Sequence, residues 1–137
     1  MLSDKNYFNH DADIGIIGRG QSLEESFEQA AQATFALMGN LIEIQPKKTV
    51  SFNFDEPDIE LAFVTWLNLL IGKAQADDLI FSRFKLKKNG SRWEAQAEGE
   101  QWRDEIERGI DVKGATLTML SVKKMKNYWR AMCVVDV

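Results

Sequence analysis

The chain has 137 residues, 45% of them hydrophobic, and seventeen basic against twenty-one acidic side chains leave a net charge of -4. That length suits one domain, residues 1–137, with a sizeable core, and the acid excess disfavours gripping phosphate backbones by overall field, so no strong direct nucleic-acid binding is expected. The longest apolar stretch, Leu61 to Ile71, holds Thr65 and Asn68 and is shorter than the ~20 residues of a membrane span. With no visible signal peptide and only Cys133, which cannot form an internal disulfide, the expectation is a cytoplasmic protein without membrane attachment.

In chain order, Ile14 to Gly18 reads as a short first strand, ended by Arg19-Gly20. Ser22 with Glu25 three residues later forms a capping box, and Leu23, Phe27, Ala30, Ala31, Thr34, Leu37 and Met38 recur at helical spacing until Gly39-Asn40. After Pro46, Val50, Phe52 and Phe54 alternate with Thr49, Ser51 and Asn53, the period of a half-buried strand. Asp58 caps a second helix whose apolar face runs from Ile59 through Trp66 to Ala74 and which ends near Asp77-Asp78.

From Leu79 to Lys87 the chain reads as extended, Asn89-Gly90 marks a hairpin turn, and Trp93, Ala95 and Ala97 lie on the returning strand. A polar stretch, Gln101 to Gly109, precedes strand character over Ile110 to Val122, a turn at Lys124 to Asn127, and a last strand from Tyr128 to Val137. The expected architecture is α+β: two helices packed on an antiparallel or mixed sheet. Two basic clusters, Lys85, Lys87, Lys88 with Arg92 and Lys123, Lys124 with Lys126, read as solvated turns.

No glycine-rich phosphate loop, zinc-ligand spacing or nucleophile with its base is encoded. What stands out is a pair of aspartates at opposite ends of the chain. Asp13 lies in His10-Asp11-Ala12-Asp13-Ile14-Gly15-Ile16, and Asp136 in Val134-Val135-Asp136-Val137. Carboxylates at the edges of buried strands lose hydration, and two side by side call for a cation. Asp13, Asp136 and the oxygens of Val137 form a candidate hard-metal site with open positions, although turn and terminal aspartates also serve as hydrated or capping groups. His10 reads as a hydrogen-bonding residue before a ligand, and Cys133 as a packed thiol.

The order of motifs resembles the archease family along nearly the whole chain. The His10 to Ile16 segment is similar to that family's opening His-x-Ala-Asp-Ile-Gly-Ile signature, and Ser22 to Ala31 with Phe35 to Met38 is similar to its first helix. Trp66-Leu67-Asn68, Leu79 to Phe84, Gly99-Glu100, Val112-Lys113 and Val135-Asp136-Val137 follow in the family's order. The resemblance implies an archease-like fold and a protein that assists the RtcB-type RNA ligase of tRNA splicing and RNA repair, promoting ligase guanylylation and multiple turnover without being an enzyme itself. It carries the metal-site assignment onto Asp13, Asp136 and Val137, with Ca2+ expected and Mg2+ or Mn2+ as alternatives.

Histidines common in the family are missing from the stretches Glu107-Arg108-Gly109 and Thr116 to Met119, and Gly114 stands where alanine is usual. Two other readings accompany this one. In one, a chaperone-like modulator uses Trp102 or Trp129 as anchors; in the other, a metal-dependent hydrolase uses Asp13, Asp136 and His10 on water. Oligomeric state is not legible in the chain.

Overall fold

In the computed structural model, which describes residues 5–137, the strands form two antiparallel sheets joined by two helices. The first sheet has the order β1 (Tyr7–His10), β2 (Asp13–Gly20), β8 (Trp129–Asp136), β6 (Gly114–Ala115), with β7 (Ser121–Lys124) also paired to β8. The second has the order β3 (Lys48–Asp55), β5 (Arg92–Gln101), β4 (Leu79–Asn89). This is the expected α+β class, and the sheets are antiparallel throughout.

Helix α1 (Leu23–Met38) starts where the capping box places it: the Ser22 side chain accepts from the Glu25 amide, and the Glu25 carboxylate accepts from the Gln21 amide. Helix α2 (Ile59–Asp77) is capped by Asp58, whose carboxylate accepts from the amides of Glu60 and Leu61. It closes on Asp78, which takes the left-handed conformation at φ 54°. Helix α1 packs on β2 and β8 of the first sheet and β4 of the second, while α2 meets β4, β6 and β7. The core therefore lies between the inner faces of the two sheets. Phe27 stacks on Trp93 with ring centroids 5.1 Å apart, Phe35 tilts against Phe81 and Phe84, and Trp66 donates its indole N–H to the Phe27 carbonyl at 2.9 Å. All six of these aromatic rings are buried.

Three local readings need correction. The first strand is β2, extended to Gly20, and it is preceded by β1: the two make a hairpin whose turn is Asp11-Ala12, with Asp11 at φ 53°. Arg19-Gly20 is not a turn. The glycines there allow α1 to lie directly on the strand, since a Cβ on Gly18 would stand 2.1 Å from the Ser26 carbonyl oxygen. The expected strand over Ile110 to Val122 is two short strands separated by a bulge, because Met119 adopts φ 56° and the Thr116 hydroxyl bonds to the Val134 carbonyl and accepts from the Thr118 amide.

Candidate metal centre at the junction of the chain ends

The two ends of the chain meet in the first sheet. The β2–β8 register pairs Ile14 with Val135, and one further step of that register sets Asp13 opposite Asp136. The Val137 amide donates to the Asp13 carboxylate at 3.2 Å, which ties the end of β8 to the start of β2. On β1, His10 pairs with Asp13, and on β6, Gly114 pairs with Asp136. One row of the sheet thus reads His10, Asp13, Asp136, Gly114 across four strands. In antiparallel pairing, directly opposed residues point to the same face. This row lies on the face away from α1, because Ile16, Ala131, Cys133 and Val135 occupy the inner face in the core.

Two carboxylates at this junction make it a candidate place for a cation. Like charges directly opposed on neighbouring strands repel by a few tenths to about 1 kcal/mol, and a hard cation removes that penalty. Asp13 is half-buried and Asp136 exposed, so the row opens to solvent. The donor set is hard: Asp13, Asp136 and the main chain of Val137 offer oxygens alone, the chemistry that suits calcium, magnesium or manganese with water in the remaining positions. Among the described residues no group of three or more His, Cys, Asp or Glu side chains is gathered tightly enough to enclose a metal. The residues present fit an open, partly hydrated ion and not a closed cage. His10 leans towards Asp11, with Nδ1 3.9 Å from its carboxylate.

Asn68 positions the neighbouring strand. From α2 its side-chain amide brackets Ala115, accepting from the Ala115 amide at 2.8 Å and donating to the Ala115 carbonyl at 3.1 Å, as a strand neighbour would. Gly114 leaves room for it, since a Cβ there would stand 3.2 Å from the Asn68 Oδ1. On the other side, the Lys113 amide donates to the Asp136 carbonyl at 2.8 Å. The two-residue strand β6 is thereby fixed beside Asp136 despite its shortness. Asn68 is visible in the sequence as a polar break in an apolar helix, and that break is the signal that could have picked it out.

The other candidates take structural places. Cys133 is fully buried and burial pushes its thiol up to about 12, which makes it a packed side chain and not a nucleophile. Trp102 carries the Arg108 guanidinium 4.0 Å above its ring and lines a cavity of about 360 Å³ with Met38, Asp78 and Ile110. Trp129 carries the Lys124 ammonium 5.7 Å from its centroid and packs half-buried against the core. The exposed large apolar side chains close to β6 in sequence are Ile110 before it and Leu117 and Met119 after it.

The matches to known proteins span nearly the whole chain. A model of the Archease protein family (MTH1598/TM1083) matches residues 6–137. The protein named archease from Sulfolobus acidocaldarius is 34% identical over 134 residues, covering 96% of each chain, and that from Thermococcus kodakarensis is 31% identical over 136 residues, covering 95% of this chain and 96% of its own. The solution structure of Methanobacterium thermoautotrophicum protein 1598 superposes with a TM-score of 0.86 at 26% identity, over 96% of this chain and 97% of that one. A crystal structure of an archease from Thermotoga maritima, described there as a possible chaperone, shares the fold with a TM-score of 0.66 at 18% identity, over 95% of this chain and 94% of that one. Helices, both sheets and the meeting of the chain ends fall within the matched span, and the chain belongs to the archease family.

Proposed function

We propose that this protein is a non-catalytic helper of an RtcB-type RNA ligase, acting in tRNA splicing and RNA repair through a divalent-cation site made by Asp13, Asp136 and Val137. The observation that carries the reading is the bond from the Val137 amide to the Asp13 carboxylate at 3.2 Å, which brings the end of β8, with exposed Asp136, to the start of β2, with half-buried Asp13. Family membership supports the choice of partner.

In this reading Asp13 is held in place by the Val137 amide, while Asp136 keeps its carboxylate free in solvent for a partner's site. Asn68 and Lys113 hold β6 against the last strand, so the acidic row is presented by a braced edge. A divalent ion, Ca2+ first and Mg2+ or Mn2+ as alternatives, supplies when bound the positive charge that neutralises a nucleotide triphosphate during ligase guanylylation. The protein's own part is to bind and orient, and His10, which pairs with Asp13 in the row, is in this reading a neighbour of the cation site.

The test is single-turnover guanylylation of the cognate ligase with and without this protein. Stimulation by the native chain, lost in folded Asp13→Ala and Asp136→Ala variants, is expected; full stimulation by both folded variants would falsify the assignment. A chaperone-like role is the second reading, favoured by exposed Leu117 and Met119 on the bulge beside the site, at 64% and 53% exposure. It predicts metal-independent suppression of a client's aggregation that Leu117→Ser abolishes.

A further inference from the structure

The face of the first sheet that carries the aspartates changes character along its strands. After the row of His10, Asp13 and Asp136 come Phe8, Gly15 and Val134, then Ile17, Met132 and Ser121, and then Arg19, Arg130 and Lys123. In that last row Arg19 pairs directly with Arg130, and Arg130 with Lys123. The pleat sets all three side chains on the same face, on neighbouring strands about 4.8 Å apart. The basic cluster legible in sequence as a turn, Lys123, Lys124 and Lys126, is thus extended by two arginines from elsewhere in the chain. The basic row stands about 20 Å from the acidic one, six residues along β2.

Three cations in one row repel one another. Among the described residues, no ion pair involves Arg19, Arg130 or Lys123. Arg19 donates to the backbone carbonyl of Lys5. The Nε of Arg130 is enclosed and has no hydrogen-bond partner among the described residues, which costs stability. In the turn that leads into β8, two residues before Arg130, Tyr128 is half-buried, and its hydroxyl makes no hydrogen bond among the described residues.

We infer that the row Arg19, Arg130 and Lys123, with Tyr128 beside it, is a contact site for the backbone of single-stranded RNA. A line of cations about 10 Å long follows a linear polyanion better than it encloses one small ion. Guanidinium forks match phosphate oxygens, and an adjoining aromatic ring offers a stacking surface for a base whatever its identity. An acidic polypeptide would use the charges but has no use for the ring. On this face the acidic pair Asp13 and Asp136 lies at the end far from the basic row, so the net charge of -4 does not describe the local field there. Binding here does not depend on a ligase or on a metal, so its failure and the failure of the helper reading are separable.

The experiment is fluorescence anisotropy of a short labelled oligouridylate with the full chain alone, in chelator, over a series of monovalent salt concentrations. Expected is weak binding whose logarithmic salt slope is about -2, the value for three phosphate contacts on a single strand. The combined Arg19→Gln, Arg130→Gln, Lys123→Gln variant should bind about tenfold more weakly with a flatter slope. Tyr128→Leu should weaken the oligouridylate and leave inorganic polyphosphate binding unchanged. Lys85→Gln with Lys87→Gln, on the second sheet, serves as the control. Unchanged affinity in the triple variant, an equal loss in the control, or competition by polyglutamate as strong as by RNA overturns the inference. Lys123→Gln, on an exposed edge position, decides the matter by itself if the triple variant does not fold: no loss there has the same overturning force.

Discussion

The two sheets divide the labour of the molecule. The second sheet is long and regular: β3 and β5 pair over Lys48 to Asp55 without interruption, and β4 pairs with β5 along its length with one irregularity between Phe81 and Arg83. Its inner face supplies Trp93, Phe81, Phe84 and Leu86 to the core. The first sheet has two eight-residue strands, β2 and β8, at its centre and short pieces beside them, β1, β6 and β7, and it carries the acidic and the basic rows on its outer face. Both sheets feed the core, the first with Ile16, Ala131, Cys133 and Val135 under α1. The acidic and basic rows lie on the outer face of the first sheet, away from the core, which is where single substitutions can separate folding from function.

That division can be broken most forcefully in the second sheet. Trp93→Ala removes a fully buried ring stacked on Phe27 and Phe54 and should cost about 4 kcal/mol, measured by urea unfolding, with loss of every function in proportion to unfolding. Glu100 comes next. It is 3% exposed, accepts from the Gln45 amide at 2.7 Å and from Arg103 Nε at 2.9 Å, and those bonds hold its carboxyl below the usual range. Glu100→Ala should cost about 3 kcal/mol. Because the folded-state pKa is the lower one, the stability Glu100 contributes is complete above the ordinary glutamate value and is lost as pH falls below it. The acid limb of a stability profile should therefore be shallower in Glu100→Gln than in the native chain.

In the first sheet the effects on folding shrink and those on function grow. Asn68→Ala should cost about 1.5 kcal/mol and, by releasing β6, weaken calcium binding at the junction; equal calcium affinity in the folded variant would sink its positioning role. Asp13→Asn or Asp136→Asn should change stability by less than about 1 kcal/mol in chelator, in the stabilising direction, since each removes one of two opposed like charges. If the cation reading holds, added calcium should stabilise the native chain alone by about 2.7 kcal/mol at a hundredfold excess over the dissociation constant, seen as a rise in melting temperature. The smallest effect belongs to Glu28. Burial raises its carboxyl while the Leu86 amide it accepts from lowers it. With the folded-state value the higher one, ionisation works against folding as pH rises through that window. Glu28→Gln keeps an acceptor for Leu86 and should be neutral to slightly stabilising at pH 7.

Much of the architecture was legible because it follows local rules. Ser22 and Asp58 announce the helix starts through their side-chain oxygens, and Asn89-Gly90 announces the β4–β5 turn, where Gly90 sits at φ 66°. Alternation marks β3 and β8. The region from Ile110 to Val122 was misread as one strand since nothing local distinguishes a paired residue from a bulged one; the break is imposed by β8, which Thr116 and Ser121 both join but in different registers. Strand β1 is short, and it acquires strand character only by pairing with β2.

For the candidate site, the sequence by itself determined the chemistry on offer: two aspartates in apolar strand ends, an asparagine in an apolar helix, and lysines clustered in a turn. Only the tertiary structure decided which of these meet. Register along an antiparallel ladder is set by the burial of one face and by the turns, so a pairing such as Asp13 with Asp136, or Arg19 with Arg130, depends on where Gly18 lets α1 settle and on how β8 enters the sheet. Pairing between distant segments is paid for by core burial far from the site, and no local pattern around the aspartates or arginines records it.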